Sequence, residues 1–325
     1  MVVGPTLDNT LETLAGYTGR IRLLRCPTAN LSQSRNIGLL AARGDIVAFI
    51  DDDAVPSYRW LEQYAHVFSD PRIDAAGGAV WAIHPENAAL QFRLGSYSSL
   101  AEQVDVRRSL ADQPAGSGGS GRPAYATRWI TRFMGTNMLV RRPVLYDLGG
   151  FDEFYVYVAE EADLALRLEA AGRGVAALKE AVVYHVTSSS RYRVAFTTQG
   201  RWWMRTRSRV YLTLRHGAAS GETRRAILVR VLRSAGANFP WYLGLLRARQ
   251  MKRKDFVISS LQEVFAGLSA AWQALFRSPQ LIPAAAVQAA RKSAEPLLRF
   301  QNADSAFQPT VDPISGQQSS PCQNS

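Results

Sequence analysis

The stretch Asp45-Ile-Val-Ala-Phe-Ile-Asp-Asp-Asp53 joins an apolar run to three consecutive aspartates. The run predicts a strand buried on both faces, and ligand sites of α/β sheets lie at the carboxyl ends of such strands. Because side chains alternate along an extended chain, Asp51 and Asp53 are expected on one side and Asp52 on the other. Neighbouring carboxylates favour a neutralising cation, and oxygen ligands suit Mg²⁺ or Mn²⁺. The stretch therefore predicts an α/β fold with a divalent-ion site that can carry a diphosphate; a solvated loop or helix cap is the alternative.

A second acidic cluster follows about a hundred residues later, at Glu160-Glu-Ala-Asp163. The apolar residues Leu164, Leu166 and Leu168 and the closing Gly172 predict a short helix that begins at these carboxylates. Carboxylates in a first helical turn are also favoured by the helix dipole, which is the structural alternative. Together the two clusters indicate a metal-bound leaving group faced by a carboxylate base.

Five segments within residues 1–190 resemble, in order and approximate spacing, the family 2 glycosyltransferases. They are Asn30-Leu-Ser-Gln-Ser-Arg-Asn36 leading to the aspartates, Gly135-Thr-Asn137, Leu148-Gly-Gly-Phe-Asp-Glu153, Glu160-Glu-Ala-Asp163 and Val182-Val-Tyr-His185. The resemblance implies the GT-A fold, an α/β fold with a Rossmann-like mixed sheet flanked by helices.

The resemblance also implies roles for matching residues. Glu161 stands where the family has the base that deprotonates the acceptor hydroxyl, supported by Asp163 and Glu160. The expected metal ligands are Asp51, Asp53 and His185. The expected donor and nucleotide contacts are Arg35, Asn36, Asp51, Asp52 and Asn137. Two of these have alternatives, since a His at a strand end is often structural and Arg35 can equally form an ion pair on a helix surface.

The predicted reaction is inverting, metal-dependent transfer of a sugar from a nucleotide-diphosphate donor to a hydroxyl acceptor, with Mn²⁺ or Mg²⁺ as cofactor, in cell-surface polysaccharide or glycolipid synthesis. The segment Gln199-Gly-Arg-Trp202 is one residue short of the Gln-x-x-Arg-Trp signature of processive synthases, which favours a non-processive enzyme. Two alternatives stay open. One is a nucleotidyltransferase, which would want a Gly-rich phosphate loop; the other is a catalytically impaired fragment acting as a membrane-associated binding protein.

Members of the family usually begin with a further strand and loop upstream of the position of Met1. We therefore expect an N-terminally incomplete catalytic domain, in which residues 1–10 correspond to the family's second strand and the turn after it. A sheet without its first strand would have an unpaired edge beside the site, which would weaken folding and donor binding.

Composition is that of a globular enzyme, with 325 residues, 47% of them hydrophobic and 20% charged. The two cysteines, Cys26 and Cys322, provide neither a disulfide framework nor a Cys-based zinc site. No signal-peptide pattern or membrane-spanning apolar run is visible, so the expected location is cytoplasmic. Charge is uneven, because residues 191–255 hold 16 basic and 2 acidic residues, whereas residues 1–190 hold 18 and 21.

These patterns predict a catalytic domain over 1–190, a basic, partly amphipathic helical appendage over 191–300 and a disordered tail over 301–325. The basic region could lie on an anionic membrane, peripherally on the inner face of the plasma membrane and near a glycan or lipid-linked acceptor. Packing helices with solvated arginines are the alternative, and no motif indicates a specific nucleic-acid partner.

Two further segments have open interpretations. Residues 256–276 form an apolar helical pattern interrupted by Glu263, too polar to span a membrane and suited to packing or interfacial burial. The Gly- and Ser-rich residues 113–123 are either a mobile loop that closes over a substrate or a tolerated surface insertion.

Overall fold

A computed structural model describes residues 1–17, 19–84, 87–92, 95–97, 103–105, 126–127, 133–186, 203–219 and 223–293. The predictions for the loop at 113–123, the segment 199–202 and the tail at 301–325 lie outside these residues.

The described residues form eleven strands and ten helices. The strands are β1 (Val2–Val3), β2 (Leu24–Arg25), β3 (Ile46–Phe49), β4 (Ala54–Pro56), β5 (Ala75–His84), β6 (Asn87–Phe92), β7 (Gly95–Tyr97), β8 (Gln103–Asp105), β9 (Ala126–Thr127), β10 (Met138–Arg141) and β11 (Val175–Val186). The helices are α1 (Thr10–Ala15), α2 (Leu31–Ala41), α3 (Trp60–Phe68), α4 (Arg142–Asp147), α5 (Glu160–Ala170), α6 (Trp203–His216), α7 (Arg224–Gly236), α8 (Phe239–Arg247), α9 (Arg253–Phe276) and α10 (Ala284–Ser293).

Seven strands form one mixed sheet in the order β3-β10-β5-β11-β4, with β6 also paired to β5 and β9 to β11. Strands β5 and β11 are parallel, β10 is antiparallel to both β3 and β5, and β4 is antiparallel to β11. Strands β1 and β2 form a separate parallel pair. This mixed sheet with its flanking helices confirms the predicted α/β fold.

Consecutive residues of the central strands face two different apolar layers. Ala75, Met138 and Val140 pack in a cluster with residues of α2, α4, α5 and α10. Ala76 and Leu139, their immediate neighbours in sequence, pack in a second cluster with α3. The alternation follows the two-residue period of a strand, and it places helices on both faces of the sheet.

The prediction that β3 is buried on both faces is wrong. Val47 and Phe49 are buried in the cluster beneath α2, but Ala48 and Ile50 are exposed. The cluster around α3 reaches Ile46 and no further along this strand. An apolar run shows that a strand is suited to burial, whereas the extent of the covering helix decides how much of it is buried.

Helices α6 to α9 lie in the described part of the basic region. Helix α6 shares an apolar cluster with the chain that precedes α5, where the Tyr211 ring lies 4.0 Å from Phe154 and 5.2 Å from Tyr155. Its Tyr211 hydroxyl also donates to the buried Asp152 at 2.7 Å. The boundary at residue 190 stays a prediction. Among the described helices, none combines the length and the apolar content needed to cross a membrane.

Candidate active site

The three predicted metal ligands come together at one edge of the main sheet. Each of Asp51, Asp53 and His185 offers one ligand atom, and these three atoms all lie within 4.8 Å of one another. The sheet register produces this, because β4 turns back after the aspartates and pairs with β11, with Ala54 opposite His185. His185 Nε2 lies 2.9 Å from Asp53 Oδ1.

Asp52 is exposed and lies outside this group, as the predicted alternation requires. The reason differs from the predicted one, since residues 51–54 form a turn in which the Ala54 amide donates to the Asp51 carbonyl at 3.2 Å. Burial raises the pKa of Asp51, and the positive charge of Arg35 only partly offsets that rise. Asp51 is therefore a carboxylate that a further positive charge would stabilise.

The chemistry of these three side chains fits the expected divalent ion. Two carboxylates and one imidazole offer oxygen and nitrogen ligands, a set that suits Mn²⁺ and also permits Mg²⁺. His185 is almost fully buried, and Asp53 already holds its Nε2 at hydrogen-bond distance. The His ring is thus oriented by a neighbour that belongs to the same ligand set.

Arg35 connects this ligand group to the second acidic cluster. Its Nη1 donates to Glu160 Oε1 at 2.7 Å, while Nη2 lies 3.9 Å from Asp51 Oδ1. The guanidinium is buried, and its Cζ lies 5.5 Å from the centroid of the Phe151 ring. A Cβ at Gly135 would collide with the guanidinium, which would then have to move. Arg35 is therefore a buried residue between two acidic groups, which decides against the helix-surface alternative.

Glu160 and Glu161 begin helix α5 as predicted, and Gly172 follows the helix with a φ of 65°. The residues before them are unusual, because Val158 and Ala159 both have positive φ values, 77° and 74°. This conformation is strained for residues with a side chain, and more so for β-branched valine. The chain thus enters the acidic turn through two strained residues, as often occurs where side chains must be placed for function.

The charge of Glu160 acts on the neighbouring carboxyl of Glu161. Burial raises the pKa of Glu161 to about 8, the adjacent charge of Glu160 adds to the rise, and Arg35 opposes it. The second oxygen of each carboxylate is buried without a hydrogen-bond partner among the described residues. A carboxyl group with a pKa near neutrality can take up or release a proton under physiological conditions, as a general base must.

Asp163 lies on the same helix but faces a different environment. Arg167 Nε donates to one of its oxygens at 2.8 Å, and His216 Nε2 on α6 lies 2.8 Å from the other. Burial alone would raise the pKa of Asp163, but Arg167 and His216 outweigh it and the pKa lies below its ordinary value. Asp163 therefore ties α5 to α6 through His216, and its supporting role in catalysis stays a prediction.

The two predicted asparagines are buried and hold backbone in place. Asn137 donates to the carbonyls of Ala79 and Ala181 at 3.0 and 2.8 Å, and its Oδ1 accepts from Trp60 and Tyr64 at 2.9 and 2.8 Å. These four bonds complete its capacity. The nucleotide-contact role of Asn137 stays a prediction without a free donor or acceptor to support it.

Asn36 is placed similarly, on the buried side of α2. It donates to the Phe151 carbonyl at 2.9 Å and accepts from the Phe151 amide at 2.8 Å. Its amide also lies 3.0 Å from Glu153 Oε1. Asn36 therefore ties α2 to the segment before α5, and its nucleotide contact also stays a prediction.

The sequence did not point to three residues that shape the site. His216 and Arg167 each contact one oxygen of Asp163. Thr136 Oγ1 accepts a hydrogen bond from the Asp51 amide at 3.3 Å. His216 lies 53 residues from its partner. Arg167 had a local signal, because it stands four residues after Asp163 on a predicted helix. Thr136 lies within the quoted segment Gly135-Thr-Asn137, although no role was expected for it.

Comparison with protein families gives one match across most of the described sheet. A family model described as "Glycosyltransferase like family 2" matches residues 5–205, which include every predicted site residue.

Individual relatives match shorter parts. A "Pre-mycofactocin glycosyltransferase" of Mycobacterium tuberculosis is 31% identical over 140 residues, covering 43% of this chain and 26% of that protein. The "O-antigen chain rhamnosyltransferase WbaN" of Salmonella anatum is 27% identical over 185 residues, covering 55% and 53%. The chain thus spans between about a quarter and about half of these relatives. A crystal structure of S. aureus TarS in complex with UDP-GlcNAc shows 15% identity and a TM-score of 0.48, covering 90% of this chain and 78% of that chain.

Proposed function

Because the chain belongs to the family described as glycosyltransferase like family 2, we propose that it transfers a sugar from a nucleotide-diphosphate donor to a hydroxyl acceptor with inversion. The observation that carries this proposal is the position of Arg35. One of its guanidinium nitrogens pairs with Glu160 and the other faces Asp51. The candidate metal ligands and the candidate base thereby lie beside each other in one buried network.

On the donor side, Asp51, Asp53 and His185 would hold Mn²⁺ or Mg²⁺. Bound there, the ion would supply positive charge to a diphosphate and so stabilise the charge that develops on the leaving oxygen. Arg35 and the exposed Asp52 are the proposed donor contacts from this chain. Asn36 and Asn137 would shape the donor pocket through the backbone they hold in place.

On the acceptor side, Glu161 takes the proton of the acceptor hydroxyl. The hydroxyl oxygen then forms a bond to the anomeric carbon while the bond from that carbon to the diphosphate breaks. Attack from the face opposite the leaving group gives inversion in one displacement, and the nucleoside diphosphate departs with the electron pair. Glu160 supports the base through its effect on the pKa of Glu161.

The proposed acceptor is a glycan or a lipid-linked glycan, in non-processive synthesis of a cell-surface polysaccharide or glycolipid. The name of one relative, an O-antigen chain rhamnosyltransferase, supports a glycan acceptor. The basic helices support a cytoplasmic enzyme that is peripheral on the inner face of the plasma membrane.

A thermal-shift screen tests the proposal. The full chain is heated with UDP-, GDP- or dTDP-sugars in the presence of Mn²⁺, Mg²⁺ or EDTA. A donor at a hundred times its dissociation constant adds about 2.7 kcal/mol to the free energy of unfolding. We expect one nucleotide class to raise the melting temperature only when metal is present. If none does, the transferase proposal fails and the non-catalytic binding protein becomes the better interpretation.

A further inference from the structure

Helix α9 carries a stripe of large apolar side chains that faces away from the protein. At 100° per residue, the nine positions of this apolar stripe fall within an arc of about 120°. Each is between 51% and 66% exposed. The stripe consists of Val257, Ile258, Leu261, Val264, Phe265, Leu268, Trp272, Leu275 and Phe276.

The opposite side of α9 fixes this orientation. Ala266 and Ala270 are buried there, and Ala270 packs in one apolar cluster with residues of α5 and α6. Glu263 is also buried and accepts hydrogen bonds from the Tyr242 hydroxyl at 2.7 Å and from Asn238 Nδ2 at 2.9 Å. A rotation of α9 that turned the stripe inward would expose two alanines and break both bonds. The small and polar residues therefore form the packing face, and the large apolar residues are left outside.

Adjacent helices add to the exposed apolar surface. Helix α8 contributes Phe239 and Trp241, which are 49% and 42% exposed. The Phe239 ring contacts Phe256 of α9, with 5.5 Å between the ring centroids. Exposed aromatic and aliphatic residues of this number are rare on soluble monomers and mark an interaction surface.

The charges around the stripe indicate what covers it. Residues 224–277 hold ten Lys and Arg but only two acidic residues, Asp255 and the buried Glu263. Exposed cations stand at both ends of the stripe, with Lys252, Arg253 and Lys254 before it and Arg277 after it. A second copy docked on this face would bring like charges together, whereas anionic lipid headgroups would neutralise them.

We infer that the apolar stripe of α9 is a docking surface for an anionic lipid bilayer, with the helix lying in the plane of the headgroups. Its 24 residues extend about 36 Å along the surface, and its apolar side chains enter the acyl boundary while the flanking cations stay among the phosphates. This inference rests on the peripheral-membrane part of the proposed function and does not depend on the transfer reaction.

Cosedimentation of the full chain with vesicles tests the inference. One vesicle type is phosphatidylcholine and the other contains phosphatidylglycerol as well. We expect binding to the anionic vesicles that weakens as salt is added. The triple variant Leu261→Gln, Phe265→Gln, Leu268→Gln should bind about tenfold more weakly or worse. The triple variant Lys252→Gln, Arg253→Gln, Lys254→Gln should lose roughly fivefold in affinity for each charge removed, and only on anionic vesicles.

The matched control is Leu7→Gln with Leu61→Gln, which removes exposed apolar groups outside the C-terminal helices. Its vesicle binding should equal that of the unchanged chain, and equal loss in control and stripe variant would overturn the inference. Absence of vesicle binding would also overturn it. If the unchanged chain is then a dimer that the stripe variant dissociates, the occupant is a second copy. If the unchanged chain is a monomer, the occupant is another segment of the chain. Donor-dependent thermal shifts, recorded on every variant, separate this failure from failure of the proposed reaction.

Discussion

Arg35 and Glu160 form a buried ion pair, with 2.7 Å between Nη1 and Oε1, although 125 residues separate them in the chain. The pair joins helix α2 to the first turn of α5, where Glu161 lies. Because both partners are removed from water, each depends on the other for charge compensation. The ion pair thus holds the candidate base in register with the loop that carries Asp51.

Replacing Arg35 by alanine should lower the free energy of unfolding by about 3–5 kcal/mol, since it leaves Glu160 buried without a counter-charge. Chemical denaturation measures this loss. The control is Arg59→Ala, which breaks an ion pair with Glu62 at an exposed position and should change stability little. Equal effects of the two substitutions would show that the Arg35 pair does not contribute as described.

The Asp51, Asp53 and His185 group should bind Mn²⁺ through Asp53 and without Asp52. We expect Mn²⁺ to raise the melting temperature of the unchanged chain and of Asp52→Asn, and to have a much smaller effect on Asp53→Asn. The reason is that Asp53 faces the other two ligands whereas Asp52 is exposed to solvent. Thermal unfolding across a Mn²⁺ titration measures the difference. A response of Asp52→Asn that is as weak as that of Asp53→Asn would contradict the assignment.

The raised pKa of Glu161 has a consequence for stability. Folding shifts this pKa from its ordinary 4.5 to about 8, so the folded state binds the proton more tightly than the unfolded state. The stability that this carboxyl contributes is therefore full below pH 4.5 and is lost as the pH rises through about 8. Between these values the chain should lose stability relative to Glu161→Gln by up to about 1.4 kcal/mol per pH unit. Parallel stability curves for the two proteins from pH 5 to 8 would exclude the shift.

A glycine at position 159 should relieve backbone strain at the start of α5. Ala159 has a φ of 74°, which costs an L-residue about 1–2 kcal/mol and costs glycine nothing. Ala159→Gly should therefore leave stability unchanged or higher, because relief of strain offsets the greater freedom of the unfolded chain. The control is Ala289→Gly, at an exposed position inside α10, which should cost about 1 kcal/mol. An equal loss in both variants by urea denaturation would show that Ala159 is unstrained.

Local sequence patterns predicted the parts of the site that depend on a single element. Asp51 and Asp53 follow an apolar run, which placed them at the end of a strand. His185 was expected from the family resemblance, and the pairing of β4 with β11 is what brings it beside Asp53. The start of α5 was predicted from its acidic turn and its closing Gly172. The alternation that leaves Asp52 exposed was also predicted, although a turn rather than an extended strand produces it.

Long-range pairing could not be predicted in the same way. No local signal joins Arg35 to Glu160 or His216 to Asp163, because each contact depends on how separate helices pack. Helix α9 illustrates the same limit, since its periodicity shows an apolar stripe but not which face contacts the protein. The buried face is decided by Glu263 and its partners Tyr242 and Asn238.

The central claim is that Glu161 removes the proton of the acceptor hydroxyl while a separate set of residues binds the donor. Its most direct test is the turnover of Glu161→Gln with the donor identified by thermal shift, beside the control Glu169→Gln at an exposed position on the same helix. We predict unchanged donor binding in both variants and a loss of about 10²–10⁴-fold in turnover for Glu161→Gln alone. Near-normal turnover of Glu161→Gln would contradict the account.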